Sequence, residues 1–178
     1  MDKNMTAPFG IEMHSPVEQL EIISDLGQGR YSVTPPKVHP SFVTYIVQAT
    51  PGIGVFWVKA ISPPMENDSY GAQARQLKDQ IHGQLSKRYG SGVAQDGLMP
   101  GSIWDEPRDW TRALNANERH CFVMWEANKS DTLPTDLESL FLGVSGLSPD
   151  DTSLCIEYAS VRMKDAEAEL QDMLSDLL

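Results

Sequence analysis

Apolar positions change their period several times along this chain, and each change predicts an element. Over residues 69–89, Tyr70, Ala74, Leu77, Ile81, Leu85 and Tyr89 recur at three- and four-residue steps ahead of Gly90. That is the period of one helical face, closed by a glycine stop. A second helix is predicted over 164–177, with Leu170, Met173, Leu174, Leu177 and Leu178 on one side. A third starts at Ser15-Pro16-Val17-Glu18, where Ser15 can cap, Pro16 suits the first helical position and Glu18 completes a capping box. Val17, Leu20, Ile23 and Leu26 keep its face apolar as far as Gly27. A fourth runs over 106–116, with Asp105 as N-cap, Pro107 in the first turn, and Trp110, Ala113 and Leu114 sharing a face.

Between the helices lie β-branched and aromatic runs. Residues 42–49 and 53–61 predict a hairpin around Thr50-Pro51-Gly52, and 139–147 and 153–161 predict another around Ser148-Pro149-Asp150-Asp151-Thr152. Residues 30–34, cut off by Pro35-Pro36, and 119–126 add single strands. After Gly90 a glycine-bearing loop leads into the Trp-rich segment 98–110. The predicted class is α+β: one domain, 1–178, with an antiparallel sheet of about six strands and helices packed on one face. The element order also reads as αβββα twice, which suggests two similar halves, 10–90 and 104–178, without visible amino-acid identity between them.

Charge sharpens this picture. The net charge is −11, and residues 131–178 hold eleven acids against two bases, Arg162 and Lys164. Such a field repels nucleic acid and anionic lipid and attracts basic protein surfaces; the plain alternative is solubility. Cys121 and Cys155 match no zinc or CxxC spacing, and both fall in predicted strands, so buried reduced thiols are expected. The beginning, MDKNMTAPFG, lacks a signal-peptide core, and no apolar run reaches membrane-spanning length. A cytoplasmic chain with no membrane partner is the expectation.

Candidate chemistry concentrates in 98–110, LMPGSIWDEPRDW. Asp105, Glu106 and Asp109 could serve as acid–base groups or oxygen ligands, with Arg108 orienting a substrate. Helical spacing offers the same charges ordinary work, as the pairs Asp105–Arg108 and Asp109–Arg112 and as acids at a helix start. No further oxygen-ligand loop accompanies them, so no metal or cofactor is expected. Trp104, ahead of the cap with Arg108 near, has the composition of an interface anchor. His14, His39, His82 and His120 lack ligand spacing, and His120 and Cys121 must point to opposite faces of a strand. Gly143-Val144-Ser145-Gly146 lacks the GxSxG spacing, and the remaining glycine pairs form no phosphate loop.

Asp172 and Asp176 crowd the negative end of the last helix with no base to offset them, where acids cost stability rather than add it. Acids in such places suggest work outside the fold. The first expectation is therefore a non-enzymatic protein-binding module, an inhibitor or immunity-type protein that blocks a basic toxin or enzyme surface. Trp104 and Arg108 would be its anchors, with Asp150, Asp151, Asp172 and Asp176 as steering acids. The alternatives are a hydrolase using Asp105, Glu106 or Asp109 with a histidine, and an acidic mimic of nucleic acid. The apolar stripe of the last helix also admits a homodimer seam.

Overall fold

A computed structural model describes residues 6–130 and 132–178. The first five residues, where half of the expected leader-free beginning falls, lie outside the described residues. Among the described residues, eight strands form one antiparallel sheet in the order β1-β2-β3-β4-β8-β7-β6-β5. They are β1 (Glu21–Gly27), β2 (Arg30–Thr34), β3 (Thr44–Thr50), β4 (Gly54–Ile61), β5 (Val93–Leu98), β6 (Arg119–Glu126), β7 (Leu137–Gly146) and β8 (Thr152–Ser160). With them, among the same residues, stand α1 (Ala72–Tyr89), α2 (Trp110–Asn115) and α3 (Met163–Ser175). The class is α+β, with eight strands rather than about six.

Both additional strands lie at the sheet's edges. β1 replaces the helix expected from Ser15. The Ser15 hydroxyl donates to the Glu12 carbonyl at 2.7 Å instead of capping, and only a single 3-10 turn, Val17–Gln19, forms. The following Ile22-Ile23 suits extended backbone. The loop Gln28-Gly29 has positive φ at both positions, the requirement of the hairpin turn whose twist matches its strands. β5 replaces the loop expected after Gly90. It pairs only with β6, and all but its last residue are exposed. Each half thus contributes four strands and a closing helix, with α2 inserted between β5 and β6 of the second, and the strands read outward from the β4–β8 pair in the same chain order on both sides.

Apolar side chains fall into two clusters. The larger joins Val58 and Ala60 of β4, Val123 and Trp125 of β6, Leu140 and Leu142 of β7, and Ala74, Ile81, Leu85 and Tyr89 of α1. The segment 8–17 adds Ile11, Met13 and Val17 to it, with the Phe9 ring 5.0 Å from that of Tyr45. The smaller cluster joins Ile53, Phe56 and Ala166, with Trp57, Met163 and Leu170 against them. Alternation along β4 turns Trp57 away from Val58 and Ala60. The side chains of α1 and α3 thus enter different clusters.

One buried carboxylate ties several of these elements together. Asp68 is 3 % exposed. Its side chain accepts the backbone N–H groups of Gln73 and Ala74 at 2.9 and 3.0 Å, capping α1 from three residues ahead of its N-cap Gly71. It also accepts the Thr152 hydroxyl at 2.8 Å, at the start of β8. The Asp68 N–H donates to the Asp150 carbonyl at 2.6 Å, and its own carbonyl accepts the Thr111 hydroxyl of α2. A carboxylate at a helix N-terminus meets both free N–H groups and the positive end of the dipole. Nearby, the bare Cα of Gly71 lets Trp110 pack against it; a Cβ there would stand 1.9 Å from the indole.

Replacing Asp68 by Ala leaves two amides and a buried hydroxyl without their acceptor. We expect a loss of about 3 kcal/mol or more, seen as a fall of roughly 6–12 °C in the thermal midpoint. Asp68→Asn, which keeps one acceptor oxygen, should lose about half as much. A midpoint for Asp68→Ala within about 2 °C of the parent would contradict this role.

Candidate functional site

The expected anchor segment is largely turned to ordinary work. Pro107–Asp109 form a 3-10 turn that runs into α2, and Glu106, not Asp105, stands at the N-cap, without a side-chain cap bond. Trp110 is buried in the larger cluster as expected, at 5 % exposed. Arg108 pairs with Glu106 at 3.3 Å instead of with Asp105; both side chains are mostly exposed, so the pair contributes little to stability. Arg112 lies over the Trp104 ring, 5.0 Å from its centre, rather than engaging Asp109. The Trp104 indole is half-buried and already has its cation. Asp105 and Glu106 are exposed, and the described hydrogen bonds bring no histidine to either of them or to Asp109.

The steering acids divide between two ends of the molecule. Asp151 accepts the Asn67 N–H at 3.2 Å and the Ser148 hydroxyl at 3.0 Å, so it holds the β7–β8 turn together. Asp150 is exposed beside it. Asp172 and Asp176 lie beyond the other end of β8, whose nine residues span about 30 Å. Four of the six expected contact residues thus sit near α2 and the β7–β8 turn, and the other two sit on α3 and at its C-cap, as Asp172 and Asp176. They do not make one patch.

Titratable groups elsewhere are engaged in the fold. Burial pushes the thiols of Cys121 and Cys155 up to about 11, Asp96 and Glu157 adding to the respective effects. Both cysteines are buried and free, as expected, and His120 is exposed while Cys121 is not. His14 Nε2 contacts the Ser160 hydroxyl, whose oxygen also accepts the Arg162 N–H at 3.0 Å. Ser160 is fully buried. Nearby, both carboxylate oxygens of Asp136 are taken by Thr6, each at 2.9 Å. Together they form a clasp that ties the N-terminal segment to the end of β8 through Ser160 and to the start of β7 through Asp136. Among the described residues no group of three or more His, Cys, Asp or Glu could hold a metal ion. Among the same residues no helix is long and apolar enough to cross a membrane.

A concave surface lies where sequence spacing gave only a helix face. Helix α3 reaches from the end of β8 across β4 and β3 toward the β1–β2 turn. Glu169 fixes its course by accepting the Thr50 hydroxyl at 2.6 Å and the Gly52 N–H at 2.7 Å. Between its second half and the β2–β3 surface runs a groove of about 740 Å³, lined by Arg30, Gln48, Leu170, Met173, Leu174 and Leu177 among others. Met173 and Leu174 are each 46 % exposed and Leu177 is 80 % exposed. On the neighbouring edge strand, Ile22, Ile23 and Leu26 are exposed too. Glu167 lines the groove, and Asp172 and Asp176 are exposed on the same helix. The signal in the sequence was the stripe itself, whose two sides, core and surface, look alike until the sheet is placed.

Burial, and then the Arg162 charge, hold the His14 imidazole below its ordinary value of 6.5, Asp136 opposing them. A depressed histidine binds its proton more readily unfolded, so its contribution is present above that value and is lost as pH falls through the folded one. Thermal midpoints at pH 7.5 and 5.0 should therefore converge more closely for His14→Gln than for the parent chain; equal falls in both would contradict the clasp.

No protein-family model, no curated protein and no solved structure matches this chain.

Proposed function

We propose that this chain is a non-enzymatic protein-binding module, of the inhibitor or immunity type, that covers a basic surface of a toxin or enzyme. The observation that carries this reading is the corner formed by α3 and the β1–β2 turn. There, exposed Met173, Leu174 and Leu177 border a groove, and α3 has no basic residue in its last turn. Apolar side chains left in water beside uncompensated acids cost stability in the isolated chain, and a basic partner with an apolar centre repays both. Isolated exposed leucines need no explanation, but a contiguous set around a concavity is the form of a binding surface.

The contact surface is thereby moved from the expected Trp104–Arg108 anchor to α3. Of the six expected residues, Asp172 and Asp176 keep their steering role in this reading. Asp151 belongs to the fold, and Trp104 with Arg112 belongs to the packing of α2. The row of acids that a nucleic-acid mimic needs is interrupted, because Glu169 is turned inward to Thr50 and Gly52.

Affinity capture from a lysate, with the captured protein identified by mass spectrometry, tests the reading through variants. A basic protein should be held by the parent chain and by the remote charge reversal Glu66→Lys/Asp105→Lys. It should be lost about tenfold or more with Leu174→Asp/Leu177→Asp. Equal capture by the parent and the α3 variants would contradict the reading.

A further inference from the structure

Resting on that reading, we propose that the α3 groove takes an amphipathic helix of the partner, apolar on one side and rich in lysine or arginine on its flanks. Leu170, Met173, Leu174 and Leu177 stand at i, i+3, i+4 and i+7, the stripe against which a second helix packs. Leu170 is held against Gly29 and the smaller cluster, while the other three remain exposed, so one wall of a helix seam is formed and stands uncovered among the described residues. The opposite wall is the β1–β2 turn with Arg30 and Gln48, and the Arg30 guanidinium is drawn over the Trp57 ring at 5.8 Å. Methionine at positions 163 and 173 gives the lining a soft, adaptable surface.

Charge chooses the occupant. Glu167, Asp172 and Asp176 are exposed along the helix and its C-cap, whereas Asp165 pairs with Arg162 at 3.7 Å, Glu169 is turned to Thr50 and Gly52, and no base follows Lys164. A second copy of this chain would bring the same acids against these, a like-charge seam that costs association. A cationic helix instead finds acids beside the apolar stripe and also relieves the unfavourable charge at the C-terminal end of α3. An extended segment added to β1 would meet a strand whose pairing is broken by two register shifts, between Ile22 and Ser24 and between Asp25 and Gly27. Bulges of that kind turn an edge away from further pairing.

The test uses the full chain and three synthetic 18-residue probes: a leucine–lysine helix, the same composition in strict alternation as a strand, and a leucine–glutamate helix. Fluorescence anisotropy should show the leucine–lysine helix binding at least about tenfold more tightly than either other probe. Leu174→Asp/Leu177→Asp should weaken it about tenfold or more, and Asp172→Lys/Asp176→Lys about fivefold. Glu66→Lys/Asp105→Lys, with the same net charge as the second variant, should stay within about twofold. All altered side chains are exposed, and circular dichroism of each variant confirms its fold.

If the alternating probe binds as well as the helix, the helical occupant is wrong while the basic-partner reading stands. If neither cationic probe binds, both fail. If the two charge reversals weaken binding equally, attraction is by net charge alone and the groove is not the site. If sedimentation shows a dimer that Leu174→Asp/Leu177→Asp dissociates, the occupant is a second copy and the proposal is overturned.

Discussion

The contact on which most of this architecture depends is the acceptance of two α1 amides by the buried carboxylate of Asp68. Without it, α1 begins with unsatisfied donors in an apolar setting, at a cost comparable to a large share of a domain's net stability. The same residue takes the Thr152 hydroxyl, the Thr111 hydroxyl and, through its N–H, the Asp150 carbonyl. It thus fastens α1, α2 and the β7–β8 turn at one end of the sheet. No cation takes part among its described contacts, so the charge is balanced by donors and by the helix dipole. Trp110 then closes over Gly71, with the guanidinium carbons of Arg75 and Arg119 at 4.9 and 5.6 Å from its ring centre.

Fastening one end so firmly defines what is left at the other. The N-terminal segment is clasped through His14 to Ser160 and through Thr6 to Asp136, and α3 departs from that same end. Its first half is anchored by Ala166 and Glu169, and its second half leaves the sheet's cover with its leucines in water. Burial of one face normally supplies most of a helix's stability. Here the second half of α3 lacks that burial and carries acids against its dipole, yet continues to Ser175. In the proposed function this is the helix that a partner completes.

Long, covered elements were legible in the sequence. The α1 periodicity, the β3–β4 and β7–β8 hairpins and β6 stand where spacing put them, because burial on a face imposes its period; α3 also stands there, although its stripe is largely exposed. Both strands that spacing missed are edges. Every residue of β1 is exposed and nearly every residue of β5, so neither carries the alternation that a buried face demands. Ahead of and within β1, Val17, Leu20, Ile23 and Leu26 imitated a helical face while the decisive signal was the two-residue turn at Gln28-Gly29. Asp68 was unreadable for a different reason: its partners are 5 to 84 residues away, and Glu66-Asn67-Asp68-Ser69 resembles any polar loop. The candidate site was half legible. Asp172, Asp176 and the leucine stripe were seen in the sequence, but only the sheet shows which side of α3 faces water.

The central claim is that the second half of α3 and the β1–β2 turn form one receiving surface for a basic, apolar partner. Hydrogen–deuterium exchange with and without the leucine–lysine helix tests it most directly, because it reports location instead of affinity. The account predicts slowed exchange at residues 167–177 and 27–31 together, with 98–110 unchanged. Slowed exchange at 98–110 with residues 167–177 unchanged would contradict it and return the contact to the Trp104 segment.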